Sequence, residues 1–225
     1  MIQLPKALLW DHNAHYHPWL LRQLPPRSAK VLDVGCGTGA LVRQLAERAE
    51  HVDAVDRSAE MIEHASSAST AMNVRWLCGD LLDPELELDP SGYDAVTAIS
   101  SVHHMPLDLV LTRLSELVRP GGVLAVVGHY RKATRADFAL DALTLPANAA
   151  VGAYKAARGR AGKPHDKGMP VKDPTDTLSE IRAAAAKTLP GSVLRRRLFW
   201  RYTLLWRNLS HIAEQQPRPR PTEPG

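Results

Sequence analysis

The chain has 225 residues, 44% hydrophobic and 23% charged, a balance that suits one globular domain and contains no apolar run long enough to cross a bilayer. Only Cys36 and Cys78 occur, so no disulfide framework is expected, and Met1–Trp10 carries no secretory pattern, which favours a cytoplasmic protein. The net charge of +4 comes with late arginines (Arg195, Arg196, Arg197, Arg201, Arg207, Arg218 and Arg220), an asymmetry that raises a nucleic-acid partner for consideration.

Residues 1–29 read as an N-terminal arm. Pro18 suits the first position of a short helix, Trp19–Leu24, which would leave the polar run Asp11–His17 in a loop or frayed turn. From Lys30 to Gly128 short β-branched runs alternate with helical patterns, the mark of a parallel sheet covered on both faces. The predicted strands are Lys30–Val34, His51–Val55, Asn73–Leu77, Tyr93–Ile99 and Val123–Val127. Thr38 is expected to cap a helix carrying Leu41, Val42, Leu45, Ala46 and Ala49, and Ser58 one through Met61, Ile62 and Ala65. A helix through Leu109, Leu114 and Val118 stops at Arg119-Pro120-Gly121-Gly122.

Beyond Gly128 two helical stretches, Arg135–Leu145 and Val151–Arg158, precede a Gly/Pro-rich loop at Gly159–Pro174, then a helix at Thr175–Leu189. Val193–Leu198 and Tyr202–Arg207 pattern as an antiparallel hairpin closing the sheet, with arginines outward and Leu198, Leu204 and Trp206 inward. The last residues, 211–225, are rich in proline without apolar periodicity and are expected to be disordered. The organisation is therefore an arm (1–29), a main domain (30–210) with an insertion at about 134–174, and a tail (211–225).

The chemical signal is the strand–turn–helix segment Val31-Leu32-Asp33-Val34-Gly35-Cys36-Gly37-Thr38-Gly39. Glycines there let the backbone turn sharply and approach a ligand. Gly35, Gly37 and Ala40 nearly fit a dinucleotide fingerprint, but Asp33 would repel a pyrophosphate, whereas a ligand with an ammonium and a sulfonium welcomes a carboxylate. Asp56 ends the second strand, where an acid accepts from ribose hydroxyls, and Asp80 follows the third, where one accepts from an adenine amine.

Together, Val31–Gly39, Asp56, Gly79-Asp80-Leu81, Ser100-Ser101-Val102-His103-His104-Met105 and Arg119-Pro120-Gly121-Gly122 resemble the successive motifs of class I S-adenosyl-methionine-dependent methyltransferases, in the small-molecule branch similar to ubiquinone and menaquinone biosynthesis enzymes. The resemblance implies a Rossmann-like, doubly wound α/β sheet of seven mostly parallel strands with an antiparallel C-terminal strand. It implies S-adenosyl-methionine as cofactor, with Asp33, Gly35, Cys36, Gly37 and Gly39 at the methionine part. Asp56 would take the ribose, Arg57 and Met61 would flank adenine, Gly79, Asp80 and Leu81 would meet its edge, and Ala98 and Ser100 would line the approach to the sulfonium. The arm in this fold commonly closes over the cofactor, which places Tyr16 and His17 near the methionine end.

A neutral acceptor must lose a proton, so His103 and His104 after strand four, and His129 after strand five, are the candidate bases. No metal is expected, because His12, His15 and His17 lack a firm ligand spacing and no cysteine pair joins them. The insertion, with Leu140, Leu143, Leu145, Ala149, Ala150 and Tyr154, is a candidate apolar acceptor pocket or ordinary helix packing. A nucleic-acid acceptor is disfavoured, since the Asn/Asp-Pro-Pro-aromatic and Pro-Cys patterns of base methylation are missing. A catalytically idle cofactor-binding module competes with the enzyme reading. A nicotinamide-dependent reductase competes less well, weakened by Asp33 and by the lack of a separate substrate domain. The expected partner is a small-molecule acceptor, with no membrane, in a monomer or homodimer.

Overall fold

The computed structural model describes residues 10–158 and 172–210; the predicted disordered tail and most of the predicted Gly/Pro-rich loop lie outside them. Five strands, β1 (Ser28–Val34), β2 (Ala49–Asp56), β3 (Val74–Cys78), β4 (Tyr93–Ile99) and β5 (Val118–His129), run parallel. They are joined by β6 (Val193–Arg197) and β7 (Arg201–Arg207) in the order β3-β2-β1-β4-β5-β7-β6, with β7 antiparallel to both neighbours. The predicted doubly wound sheet with an antiparallel C-terminal strand is thus the observed one. Strand order reverses between β1 and β4, which opens a crevice beyond their carboxyl ends.

The inner strands β1, β2, β4, β5 and β7 bury both faces; all seven residues of β4 are buried, as its unbroken apolar run requires. One face packs Leu32, Val96, Leu124 and Leu204 against α4 (Leu107–Leu117) and α6 (Leu178–Thr188). The other packs Val31, Val52, Ala95 and Ala125 against α1 (His12–Leu21) and α2 (Val42–Ala46), joined by Ile62 of α3 (Ala59–Ser67) and Ala147 and Val151 of α5 (Arg135–Ala157).

Four sequence expectations are corrected. The arm helix begins at His12, not Trp19, because the Asp11 carboxylate accepts from the backbone amides of Asn13 (2.8 Å) and Ala14 (3.0 Å) and so caps it. Pro18 sits inside this helix, tolerated because Tyr16, Leu20 and Leu21 are buried against the sheet. Thr38 caps nothing: α2 starts at Val42, because Gly35, Gly37 and Gly39 all adopt positive φ and keep the chain in a turn, and Ala49 belongs to β2. The two predicted helical stretches after Gly128 form one helix, α5, which runs through Pro146 from a Thr134/Asp137 capping box. On α5, Leu143, Leu145 and Tyr154 are exposed.

The hairpin is also re-aimed. Phe199 and Trp200 both hold positive φ in its turn, Leu198 is exposed, and Arg201 is buried rather than outward. No described helix is long and apolar enough to cross a membrane.

If Asp11 starts α1 as the geometry requires, Asp11→Ala will cost about 1 kcal/mol and lower the melting temperature by roughly 2–4 °C, followed by circular dichroism.

Candidate functional site

The crevice holds a cavity of about 420 Å³. Its wall is built by the ends of β1, β2, β3 and β4, the start of β7 and the arm. Twelve of the sequence-predicted residues line it: His17, Asp33, Gly35, Cys36, Gly37, Asp56, Arg57, Gly79, Asp80, Leu81, Ser100 and His104. Tyr16, Gly39, Met61, Ala98, His103 and His129 do not. Ala98 and Met61 are packed in the interior. Gly39 serves packing: a Cβ there would meet the Trp76 ring at 2.8 Å and the Ala65 Cβ at 3.1 Å.

Asp33 ends up as a buried carboxylate with half its capacity used. Its Oδ1 accepts from the Thr97 hydroxyl at 2.6 Å, while Oδ2 has no partner. Burial pushes its carboxyl up to about 7, with the Thr97 bond opposing and the nearby Asp56 adding to the rise. Asp56 braces the turn: its Oδ2 accepts from the Gly37 amide at 2.9 Å and its Oδ1 from the Ser58 amide at 2.9 Å. Asp80 is exposed at the rim, where its Oδ1 accepts from the Leu82 amide. The glycine turn lies close against the segment that follows β4, because a Cβ on Gly35 would meet the Ser101 Cβ at 2.3 Å.

Opposite the acids, a ring of hydrogen bonds joins four elements. The Arg201 guanidinium donates from Nη1 to His129 Nδ1 (3.1 Å) and from Nη2 to Asn13 Oδ1 (3.0 Å). Since a guanidinium only donates, His129 Nδ1 accepts and its hydrogen sits on Nε2, 3.2 Å from the Ser100 hydroxyl. Ser100 in turn donates to Asn13 Oδ1 at 2.8 Å, from a left-handed backbone at φ +55°. Burial and then the Arg201 charge push His129 down to about 2, so it is neutral throughout the physiological range.

His103 stacks between its neighbours, with ring centroids 4.2 Å from His104 and 4.9 Å from His129. Burial foremost, helped by His104 and Arg201, pushes it down to about 4. His104 is lowered by burial and by Lys172 and Arg57, and is the one of the three that reaches the cavity.

The arm is tied down at several points. Tyr16 donates to the Leu198 carbonyl at 2.6 Å, and the Gln44 amide donates to His17 Nδ1 at 2.8 Å. Trp10 meets the Phe199 ring edge-on at 4.9 Å, and its Nε1 donates to the Asn148 carbonyl of α5. Trp10, Asp11, His12 and Asn13 therefore line the cavity, as does Arg201; the sequence reading placed the arm here in general but gave these residues no role. The polar cluster Asp11–Asn13 was a visible signal, whereas Arg201 looked like any other residue of an arginine-rich strand. Among the described residues, no group of three or more His, Cys, Asp or Glu is placed to hold a metal ion.

A methyltransferase-domain family model matches residues 31–122. Over 200 residues the chain is 34% identical to an uncharacterised methyltransferase of Mycobacterium tuberculosis, covering 88% of this chain and 96% of that protein. It is 35% identical over 131 residues to the ubiquinone biosynthesis O-methyltransferase of Vibrio atlanticus, covering 50% of this chain and 53% of the relative. Among solved structures, an S-adenosylmethionine-dependent methyltransferase from Listeria monocytogenes shares the fold, with a TM-score of 0.60 at 16% identity over 87% of this chain and 98% of that one.

The tight Gly35 contact has a measurable consequence. Gly35→Ala, with φ +72° and the Ser101 clash, will cost about 2–3 kcal/mol and several degrees of melting temperature. Gly121→Ala, at φ +81° with nothing within 4 Å, will cost only the backbone strain, about 1–2 kcal/mol.

Proposed function

The chain belongs to the class I S-adenosyl-methionine-dependent methyltransferases, and on that premise we propose that it methylates a small-molecule acceptor, using the cavity at the carboxyl ends of β1–β4. The observation that carries the site assignment is the unpartnered Oδ2 of Asp33: a buried carboxylate oxygen without a donor is destabilising, and the ammonium of the cofactor's amino-acid end is a donor of matching charge. The glycine turn fits the same ligand, since Gly35 and Gly37 line the cavity with no side chain to obstruct it. In this reading Asp56 takes the ribose hydroxyls, Arg57 flanks the adenine, and Gly79, Asp80 and Leu81 meet the adenine edge. His17 and Ser100 border the methionine end. Tyr16, Gly39, Met61 and Ala98 support these residues from outside the cavity wall.

When bound, S-adenosyl-methionine supplies an electrophilic methyl group on a sulfonium whose departure as a thioether needs no acid. The protein is left with alignment, exclusion of water and one proton. Alignment of two reactants in an attack geometry removes on the order of 7–11 kcal/mol of barrier, and the arm, fixed by the Asn13, Tyr16 and His17 bonds, closes one side of the crevice. His104 is the proposed general base, because it lines the cavity and is held neutral and able to accept a proton. His103 packs behind it, and His129, with Nδ1 engaged by Arg201, positions Ser100.

A small acceptor is supported by the disposition of three of the late arginines. Arg201 is buried, Arg196 is paired with Asp137 at 2.7 Å, and Arg197 donates to Thr203, so these do not form an open phosphate-binding stripe. The N-terminal arm, main domain and 134–174 insertion remain our proposed division of labour, with the insertion acting on the site through the Asn148 contacts to Trp10 and His12.

Two measurements test the reading. Asp56→Ala will weaken S-adenosyl-homocysteine binding at least tenfold in calorimetry while circular dichroism stays native; unchanged affinity removes the ribose assignment. With a panel of phenols, amines and carboxylic acids and a labelled methyl donor, His104→Gln will lower kcat about a hundredfold or more on any hydroxyl acceptor, with cofactor affinity within twofold.

A further inference from the structure

Arg201 is 93% buried, judged by its 7% relative exposure, and lines the cavity. Among the described residues it forms no ion pair, whereas the buried carboxylates Asp53 and Asp94 pair with Arg75 and Arg119 and buried Asp137 pairs with Arg196. Its hydrogen-bond partners are all neutral acceptors, His129 Nδ1, Asn13 Oδ1 and the Phe199 carbonyl at 3.2 Å, and the Asp11 carboxylate acts on it only through space, without an ion-pair contact. Those three bonds use three of the five guanidinium N–H groups. The Nε–H, which is buried and has no partner, and one hydrogen on Nη2 are left over. Nε and Nη2 form the side edge of a guanidinium, the same edge with which Arg75 grips both oxygens of Asp53 at 2.9 and 2.8 Å.

We propose that Arg201 is the anchor for a carboxylate on the methyl acceptor, so that the acceptor is a small organic acid. This rests on the methyl-transfer reading of the cavity and names its substrate class. A fixed, desolvated positive charge with no carboxylate in contact, and only Asp11 acting on it from a distance, is expensive unless a ligand supplies a contacting counter-ion, and burial already pushes Arg201 down to about 10.

A carboxylate could also come from the amino-acid end of the cofactor, and the sheet order favours the acceptor. Asp33, Asp56 and Asp80 lie at the ends of β1, β2 and β3, while Arg201 opens β7, three strand positions from β1, or about 14 Å across the sheet. The cofactor's carboxylate shares a carbon with its ammonium, so an ammonium at Asp33 draws that carboxylate toward the β1 side. Arg201 stands on the side of β5 and β7, beside His129 and Ser100.

Calorimetry on protein saturated with S-adenosyl-homocysteine provides the test, using benzoate, phenylacetate, 4-hydroxybenzoate and octanoate against the matching amides. At least one acid will bind tenfold or more tightly than its amide. Arg201→Gln will erase that preference while S-adenosyl-homocysteine affinity stays within twofold, and Arg201→Lys will restore part of it. No acid preferred over its amide overturns the proposal without touching the cofactor site. A tenfold loss of S-adenosyl-homocysteine affinity in folded Arg201→Gln overturns it too, by giving the guanidinium to the cofactor's own carboxylate. Should Arg201→Gln fail to fold, the comparison of acid with amide on the unaltered protein decides. Failure of the unaltered protein to bind S-adenosyl-homocysteine would instead defeat the methyltransferase site itself.

Discussion

Buried charge governs this structure. Away from the crevice, carboxylates inside the fold are neutralised: Asp53 accepts from Arg75 and from the Tyr93 hydroxyl at 2.6 Å, and Asp94 accepts from the Ala29 and Lys30 amides and pairs with Arg119. Burial alone would raise Asp53, but Arg75, Tyr93 and Lys30 hold it below the usual carboxylate range. At the crevice the rule is broken twice, by Asp33 and by Arg201, and each has a polar atom left over. Because the folded chain keeps a proton on Asp33 up to about 7, against 3.8 without the fold, this group makes the protein less stable as pH rises between those values. Such a cost is what a site for a charged ligand looks like before its counter-charge arrives.

Neutral partners hold the broken places in position. The ring of Arg201, His129, Ser100 and Asn13 binds β7, β5, the end of β4 and α1 into one unit. The arm is therefore part of the site architecture, its helix capped by Asp11 and its Trp10 seated on Phe199 and Asn148. Two aromatic residues held at positive φ in the β6–β7 turn fit this picture, since Phe199 packs on Trp10 and the turn delivers Arg201 to the cavity.

What the sequence disclosed followed from periodicity and from turn chemistry. The β1 to β5 runs, the hairpin, the Ser58 cap and the acids at three strand ends were all legible, because each is decided within a few residues. The misreadings share another cause: a distant contact outweighed a local rule. Pro18 and Pro146 looked like boundaries, yet α1 runs through the first because it packs on the sheet, and α5 through the second, held there by Asn148 bonds to Trp10 and His12 and by Ala147 and Val151 against the core. Strand alternation assigned Arg201 to solvent, and only the antiparallel register that sets it opposite His129 reveals its place. Gly39 belongs to the motif yet answers to the Trp76 ring, a neighbour that no local pattern names.

The central claim, that an unpaired Asp33 carboxylate receives a cationic ligand, is most directly tested by S-adenosyl-homocysteine affinity from pH 6 to pH 8. With its carboxyl near 7, Asp33 goes from about one-tenth to about nine-tenths ionised across that window. His12, His17 and His104 in the same cavity are held below their ordinary value, and the Asp33→Asn variant separates the acid's part of the profile from theirs. The account predicts that affinity rises about tenfold with pH and that Asp33→Asn flattens the curve. A flat profile in the unaltered protein, or one that falls with pH, would contradict it.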